Sequence, residues 1–222
     1  MVTLEGGPAH YLGKVMRVAE GDAVILCDDL TGEWASAVAS IGKRAVELTV
    51  RDKLREREQA PDLWLCPALL KKDHFDFVLE KATELGVRRI QPVLTRRCVA
   101  DKLNLERART VTVEAAEQCA RTALPELAGP VKLEALLRTW PAERALFFAD
   151  ELGGAPAAEA FAAHQGPAAI LIGPEGGFDD AERDAVRALS RACPITLGPR
   201  ILRGETAAIA ATALWMATAG DW

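Results

Sequence analysis

The sequence has 222 residues, of which 50% are hydrophobic and 27% are charged, with a formal net charge of −5. This composition excludes a disordered or collagenous chain and is typical of a globular protein with one large domain or two small ones. No stretch approaches the roughly 18 uninterrupted apolar residues of a membrane span, and the first residues lack a basic start followed by an apolar run. Neither a transmembrane helix nor a signal peptide is expected.

The cysteines are odd in number, widely spaced and without a CxxC pair, which disfavours a disulfide framework or a zinc site and favours a reducing cytoplasm. The three histidines, His10, His74 and His164, form no ligand pattern. No metal is expected.

The first part of the chain reads as short strands at 23–27, 34–38 and 45–50, separated by glycine-bearing turns. Such close spacing, with no long helix between the strands, predicts a small β-barrel. Residues 51–60 are polar, end before Pro61 and are predicted to be a linker. The predicted domains are therefore 1–58 and 59–222.

From residue 61 onward, strands and helices alternate, which predicts an α/β domain with a mainly parallel sheet. Asp73 and Asn104 are candidate helix N-caps, and Gly86 is a candidate helix stop. The predicted strands are 63–70, 90–94, 145–149, 168–172 and 195–197. The predicted helices are 73–85, 104–122, 155–164, 179–192 and 206–219.

Residues 61–121 are the only part in which Lys and Arg outnumber Asp and Glu, and they contain the doublets Lys71-Lys72, Arg88-Arg89 and Arg96-Arg97. A local patch of this kind can contact phosphate even in an acidic chain. Each doublet taken singly is explained as well by a solvated surface.

Two glycine-bearing loops follow predicted buried strands of the α/β part, at 173–177 (GPEGG) and 198–206 (GPRILRGET). Ligands of open α/β sheets bind at the carboxyl ends of strands, and glycine lets backbone approach a ligand closely. Together the loops predict one shared ligand site. Neither the phosphate-loop, the dinucleotide-binding nor the GxSxG pattern occurs.

These two loops, written in full as ILIGPEGGF at 170–178 and LGPRILRGETA at 197–207, closely resemble the RsmE family of knotted SPOUT methyltransferases. KATELGV at 81–87 and the EAAEQCAR segment at 114–121 resemble further family motifs, and 10–22 resembles the family's PUA-like barrel. The resemblance implies methylation of N3 of a uridine in 16S ribosomal RNA, uridine 1498 in the usual numbering. Gly204 stands where the family commonly has a larger residue, which predicts a looser loop.

The resemblance implies a SPOUT domain with a trefoil knot and S-adenosylmethionine held in it. Glycine backbone could hydrogen-bond an adenine edge, and the apolar side chains could flank its ring. The residues implied in cofactor binding are Ala149, Ile172, Gly173, Glu175, Gly176, Leu197, Gly198, Ile201 and Leu202.

The implied reaction moves a methyl group from a sulfonium to a ring nitrogen that must lose its proton. An arginine near the uracil oxygens would stabilise the developing negative charge, and Arg203 is preferred to Arg200. Glu205 or Glu175 could accept the proton, but Glu205 is explained equally well as a residue that holds the loop.

The last helix is apolar on nearly every face, which indicates that it is buried in its own domain or faces another subunit. The family resemblance implies a homodimer through the C-terminal domain, with Trp215 and Met216 as interface candidates or core residues. The partner would be 16S ribosomal RNA or the small ribosomal subunit. Its predicted contacts are Arg17, Lys71, Lys72, Arg97 and Arg121.

Three alternatives stay open on the sequence: a SPOUT methyltransferase acting on another RNA or position, a non-catalytic ribosomal RNA-binding assembly factor, and, more distantly, a generic Rossmann nucleotide-binding protein. The glycine-bearing loops and Arg203 favour the enzyme over the assembly factor.

Overall fold

The computed structural model describes all residues from Met1 to Trp222 and divides into two compact units, Met1–Gln59 and Ala60–Trp222. This division lies one residue beyond the predicted domain boundary. None of the helices combines the length and the apolarity needed to cross a bilayer.

The first unit is an antiparallel half-barrel sheet in the order β1-β4-β3-β2, with a core of Ala9, Val38, Val46 and Leu48. A short helix α1 (Gly6–His10) and a π-helical turn (Tyr11–Met16) follow the first strand and were not predicted. The strands are β1 (Val2–Glu5), β2 (Ala23–Asp28), β3 (Gly32–Ile41) and β4 (Ala45–Arg55).

The predicted linker is wrong over its first five residues, because β4 continues to Arg55. There Arg55 pairs with Glu33 across the two strands and donates to its carboxylate. Charged residues that pair across neighbouring strands can extend a sheet, although by composition they look like a linker.

The second unit has a seven-stranded sheet in the order β11-β13-β10-β12-β5-β6-β8, in which every pair of neighbouring strands is parallel. A separate parallel pair joins β7 and β9. The strands are β5 (Leu63–Pro67), β6 (Arg89–Ile90), β7 (Val93–Leu94), β8 (Glu126–Leu127), β9 (Val131–Lys132), β10 (Ala145–Ala149), β11 (Ala155–Pro156), β12 (Ala168–Ile172) and β13 (Ala192–Thr196).

Helices cover both faces of this sheet. The side chains of its central strands point alternately to the two faces and are buried on each of them. Ile170 and Ile172 belong to the core cluster that holds α2, α5 and α7, whereas Ala169 and Leu171 belong to the cluster that holds α4 and α6. The helices are α2 (Lys72–Glu84), α3 (Leu105–Gln118), α4 (Leu133–Arg138), α5 (Ala157–Ala162), α6 (Asp180–Arg187) and α7 (Gly204–Ala219).

The predicted strands 145–149 and 168–172 are confirmed to the residue, but other element ends are corrected. The predicted strand 90–94 is divided at Gln91-Pro92, where proline has no N–H to continue the ladder. Asn104 caps α3 as predicted, accepting a hydrogen bond from the Arg107 N–H at 3.1 Å. The predicted cap Asp73 is wrong, since α2 begins after Lys71 and Asp73 lies in its first turn.

The final helix α7 packs on α2 and α5 and against β5 and β12. Trp215 and Met216 are buried inside the unit, which supports the core role that the sequence left open beside the interface role. At the start of the helix, Gly204 lies against Leu70 and near the Gly173 carbonyl, where a Cβ would be 3.0 Å from Leu70 Cδ2. Close packing therefore requires a small residue here.

Candidate active site

Three neighbouring parallel strands, β10, β12 and β13, end at one edge of the sheet and open into a cleft. Because their carboxyl ends coincide, the loops that follow them face one another. The start of α7 completes the wall. The lining residues are Ala149, Asp150, Glu151, Ile172, Gly173, Pro174, Glu175, Gly177, Phe178, Arg183, Ile195, Thr196, Leu197, Gly198, Pro199, Arg200, Ile201, Leu202, Gly204 and Ala207.

Two lining glycines adopt conformations that favour glycine. Gly198 has φ +109°, although no atom lies within 4 Å of the place where its Cβ would stand. Gly177 has φ +66°, and a Cβ there would approach the Glu151 carboxylate to 2.8 Å. Backbone conformation therefore favours glycine at both positions, and at Gly177 a larger residue would also displace the Glu151 carboxylate.

The loop after β12 is held from outside by the predicted basic doublet. Arg97 Nη1 donates to the carbonyls of Gly176, at 2.7 Å, and Phe178, at 3.4 Å. Arg96 contacts the start of the next helix, where Asp179 and Glu182 form a reciprocal capping box. The β12 loop is thus fixed at the end that leads into α6.

A buried ion-pair network supports the opposite side of the cleft. The carboxylate of Asp150 accepts from Arg183 at 3.2 Å and from Arg187 at 2.6 Å. Arg183 also donates to Glu151 at 3.0 Å, so α6 is joined to the loop after β10. Burial opposes ionisation of Asp150, but the Arg187 hydrogen bond, the Leu152 N–H and the nearby guanidinium charges outweigh it and lower its pKa.

The loop after β13 is held much less. Gly198 exchanges 3.3 Å contacts with the Thr196 hydroxyl, while Arg200 and Arg203 make neither ion pair nor side-chain hydrogen bond. Ile201 is 93% exposed at the mouth of the cleft. Two unpaired guanidinium groups and one uncovered apolar side chain are therefore available to ligands.

The structure brings most of the predicted cofactor-binding residues together. All of them line the cleft except Gly176, whose outer side is covered by the stem of Arg97. Among the predicted catalytic residues, Arg200 lines the cleft, whereas Arg203 and Glu205 do not.

Glu205 is turned away from the cleft. Its carboxylate Oε1 lies 2.9 Å from His74 Nδ1, and its side chain is only 11% exposed. This contact joins the first turn of α7 to the first turn of α2, which is the holding role that the sequence left open. The structure gives Glu205 no direct path to a proton in the cleft.

The predicted RNA contacts separate into different environments. Arg17, Lys71 and Lys72 are exposed, although Lys72 lies 3.5 Å from Asp73. Arg121 is corrected, because its buried guanidinium donates to the Thr83 carbonyl at 2.8 Å and to the Val87 carbonyl at 2.9 Å. It fixes the end of α2 and presents no charge to a phosphate.

Sequence reasoning missed Asp150, Glu151 and Arg183. A signal was present for the first two, since they directly follow the predicted strand 145–149. Only Ala149, the last residue of that strand, was predicted to bind the cofactor. Arg183 carried no signal, because a basic residue in the first turns of an amphipathic helix normally faces solvent.

The family described as the RNA methyltransferase domain matches residues 57–216, and the RNA methyltransferase PUA domain matches residues 4–51. The parallel sheet with its strand-end cleft, preceded by a PUA-like unit, thus defines an RNA methyltransferase. The predicted fold class is confirmed.

Named relatives agree over nearly the whole chain. Ribosomal RNA small subunit methyltransferase E of Synechocystis is 32% identical over 96% of this chain and 71% of its own length. The enzyme of the same name from Bacillus subtilis is 30% identical over 92% of this chain and 85% of its own. The chain belongs to the RsmE-type family of RNA methyltransferases.

A solved structure of a related enzyme extends the agreement to three dimensions. Ribosomal RNA small subunit methyltransferase E from Neisseria gonorrhoeae, bound to S-adenosyl methionine, superposes with a TM-score of 0.89 at 27% identity, covering 100% of this chain and 93% of that one.

Proposed function

We propose that this chain transfers a methyl group from S-adenosylmethionine to N3 of one uridine in 16S ribosomal RNA, uridine 1498 in the usual numbering. The observation that carries the proposal is the cleft at the ends of β10, β12 and β13 in a chain of this family. The assignment of the substrate follows the names of its relatives.

The residues of the cleft suit this cofactor. Ile172, Leu197 and Leu202 offer apolar walls, and the exposed Ile201 can cover the face of a purine ring. Open space on the Cβ side of Gly198 lets a ligand approach the backbone. The carboxylate of Glu175, which is exposed in the cleft and forms no ion pair, complements a cationic sulfonium or ammonium group.

The chain's own contribution is positioning and charge stabilisation. When bound, S-adenosylmethionine supplies a methyl group on a good leaving group. Arg203 and Arg200 carry guanidinium groups that no carboxylate neutralises, so they can stabilise negative charge on the uracil oxygens as the N3 proton leaves. Arg203 lies directly before α7 in extended backbone, at φ −65° and ψ 155°.

Proton acceptance falls to Glu175 or to water rather than to Glu205. Glu175 is exposed and lines the cleft, whereas Glu205 is occupied by His74. Glu175 can therefore reach a substrate base without breaking an internal contact.

A homodimer through the C-terminal unit is part of the proposal. The outer face of α7 carries half-exposed Ile209, Ala210, Ala213 and Leu214 and exposed Ala217, so no charged residue interrupts it. An apolar helix face of this kind is normally covered in the working protein. The mass in solution, measured by light scattering, should be about twice 23.9 kDa, and a single-chain mass would remove the dimer from the proposal.

The RNA side of the proposal uses Arg17 in the first unit and Lys71 and Lys72 in the second, whereas the guanidinium group of Arg97 donates to loop carbonyls. A ribosomal RNA substrate places the enzyme in the cytoplasm. The target uridine must be unstacked to present N3, so a base that can be splayed out is the expected substrate.

Nucleoside mass spectrometry of ribosomal RNA tests the assignment most directly. Deleting the gene should remove 3-methyluridine from 16S ribosomal RNA, and returning the wild-type gene should restore it. Unchanged 3-methyluridine would refute the substrate. Calorimetry separates the enzyme from a non-catalytic assembly factor, because the assembly factor would show no saturable binding of S-adenosylmethionine.

A further inference from the structure

We propose that Arg97 is a positioning residue for the cofactor-binding loop after β12, and that its main role is not contact with an RNA phosphate. The inference rests on the proposed function, since S-adenosylmethionine is the ligand assigned to that loop. It departs from the sequence-based interpretation, which placed Arg97 among the RNA contacts.

The hydrogen bonds of Arg97 fall on both sides of one constrained residue. Its Nη1 lies 2.7 Å from the Gly176 carbonyl oxygen and 3.4 Å from that of Phe178. Between these carbonyls stands Gly177, with φ +66°, whose N–H closes a turn onto the Pro174 carbonyl at 2.9 Å. One guanidinium group therefore holds the peptide unit directly before the left-handed residue and the peptide unit that follows Phe178.

The stem of Arg97 also explains a neighbouring glycine. A Cβ on Gly176 would lie 3.3 Å from Arg97 Cβ and 3.4 Å from Arg97 Cδ. The first distance is shorter than an ordinary contact and the second lies at its lower edge, so an alanine would shift the arginine stem by a few tenths of an ångström. Gly176 does not line the cleft, and the stem of Arg97 lies against it.

The segment that carries Arg97 is itself anchored. The Arg96 N–H donates to Glu182 Oε1 at 2.7 Å, and Arg96 Nη1 lies 2.9 Å from Asp179 Oδ2. Glu182 is buried, and with Asp179 it caps α6. The pKa of Asp179 is lowered by the Glu182 N–H and then by Arg96, so its carboxylate stays charged and keeps this anchor.

Lysine and arginine distinguish the two roles. A phosphate needs positive charge, which lysine also supplies, whereas the two loop carbonyls are reached by Nη1, which stands one bond farther from Cα than a lysine ammonium and is held in the guanidinium plane. Arg97→Lys should therefore behave like Arg97→Met in a positioning role and like the wild type in a phosphate-binding role.

The experiment measures the dissociation constant of S-adenosylmethionine by calorimetry and steady-state methylation of small ribosomal subunits for wild type, Arg97→Met and Arg97→Lys. We expect both variants to bind the cofactor about tenfold more weakly, the effect of losing a charge-assisted hydrogen bond. KM for the cofactor should rise by a similar factor. At saturating cofactor, kcat and KM for RNA should stay within about twofold of wild type.

Arg88→Met is the matched control, because it removes one cation from another basic doublet, at a side chain that is 60% exposed, does not line the cleft and lies 3.7 Å from Asp62. It should leave cofactor affinity unchanged. As a single substitution, Gly176→Ala should weaken cofactor binding. Added to Arg97→Met, it should have little further effect, since both changes disturb the same contact.

Unchanged cofactor affinity in Arg97→Met, with a raised KM for RNA that Arg97→Lys restores, would overturn the inference. Failure of the proposed function looks different, because wild type itself would then bind no S-adenosylmethionine. In that case, hydrogen exchange of the amides at 176–178 still tests whether Arg97 holds the loop: faster exchange in Arg97→Met supports the role, and equal exchange refutes it.

Discussion

The two glycine-bearing loops of the cleft look alike in sequence but are held in opposite ways. The loop after β12 accepts a hydrogen bond from Arg97 and leads into the helix cap formed by Asp179 and Glu182. The Phe178 ring packs against it and lies 3.1 Å from where a Gly173 Cβ would stand. Residues 199–202 of the loop after β13 have no hydrogen bond to the rest of the chain.

The difference predicts separate roles for the two loops, cofactor binding for the first and turnover for the second. A wall that is fixed before binding reduces the entropy lost when a ligand is ordered, which favours affinity. The less restrained loop carries the unpaired guanidinium groups of Arg200 and Arg203, which in the proposed function contact a bulky RNA substrate. We expect substitutions in the first loop to change binding and substitutions in the second to change turnover.

The largest effect should come from Arg203→Ala, which removes an unneutralised charge from the less restrained loop. Loss of one group that stabilises transition-state charge lowers kcat about 100-fold or more. Steady-state kinetics should show this loss while calorimetry gives nearly normal cofactor affinity. Equal turnover in wild type and variant would remove Arg203 from the mechanism.

Asp150→Asn should be the most damaging change for stability. It leaves Arg183 and Arg187 without their buried carboxylate, and breaking a buried pair costs about 3 kcal/mol. Urea unfolding at pH 7 measures this cost. A loss well below 1 kcal/mol would show that the network does not support the cleft.

The same residue predicts a pH dependence. Because the folded pKa of Asp150 is lowered, its contribution to stability is complete above the ordinary value of 3.8 and is lost as the pH falls through the folded pKa. The wild type should therefore lose more unfolding free energy than Asp150→Asn between pH 5 and a pH of about 2. Parallel pH profiles would exclude this group as their source.

Matched alanine substitutions compare the loops through their glycines. Gly198→Ala forces a residue with a Cβ to φ +109° and should cost about 1–2 kcal/mol by backbone strain, in open space. Gly176→Ala carries no such strain and acts only through Arg97. Shortening Arg97 should therefore lessen the defect of Gly176→Ala in thermal unfolding but leave that of Gly198→Ala unchanged.

The smallest effect concerns the free protein. Amides at 199–202 should exchange with solvent faster than those at 176–178, and S-adenosylmethionine should slow the first set more than the second. Hydrogen exchange followed by mass spectrometry gives both rates. Equal protection of the two loops before binding would contradict the separate roles predicted for them.

Much of the fold was predictable because its signals are local. Uninterrupted apolar runs gave β10 and β12 their limits, Asn104 gave α3 its cap, and Gly86, with φ +88°, ended α2. The first strand and the π-helical turn were missed because each is short, with 4 and 6 residues, and contains neither a long apolar run nor a helix cap. Strand β11 was read as helix, since Ala155-Pro156 has no strand signal apart from its neighbour β13.

The site divided along the same line. Sequence by itself determined the strand ends, their glycines and the family resemblance, because these depend on residue type and short spacing. Tertiary structure alone decided the partners of the charged residues. It buried Arg121 against backbone carbonyls, turned Glu205 to His74 and set Arg97 against a loop 79 residues away. A charged side chain pairs with the groups that lie nearest to it in space, and the fold of the chain determines which groups those are.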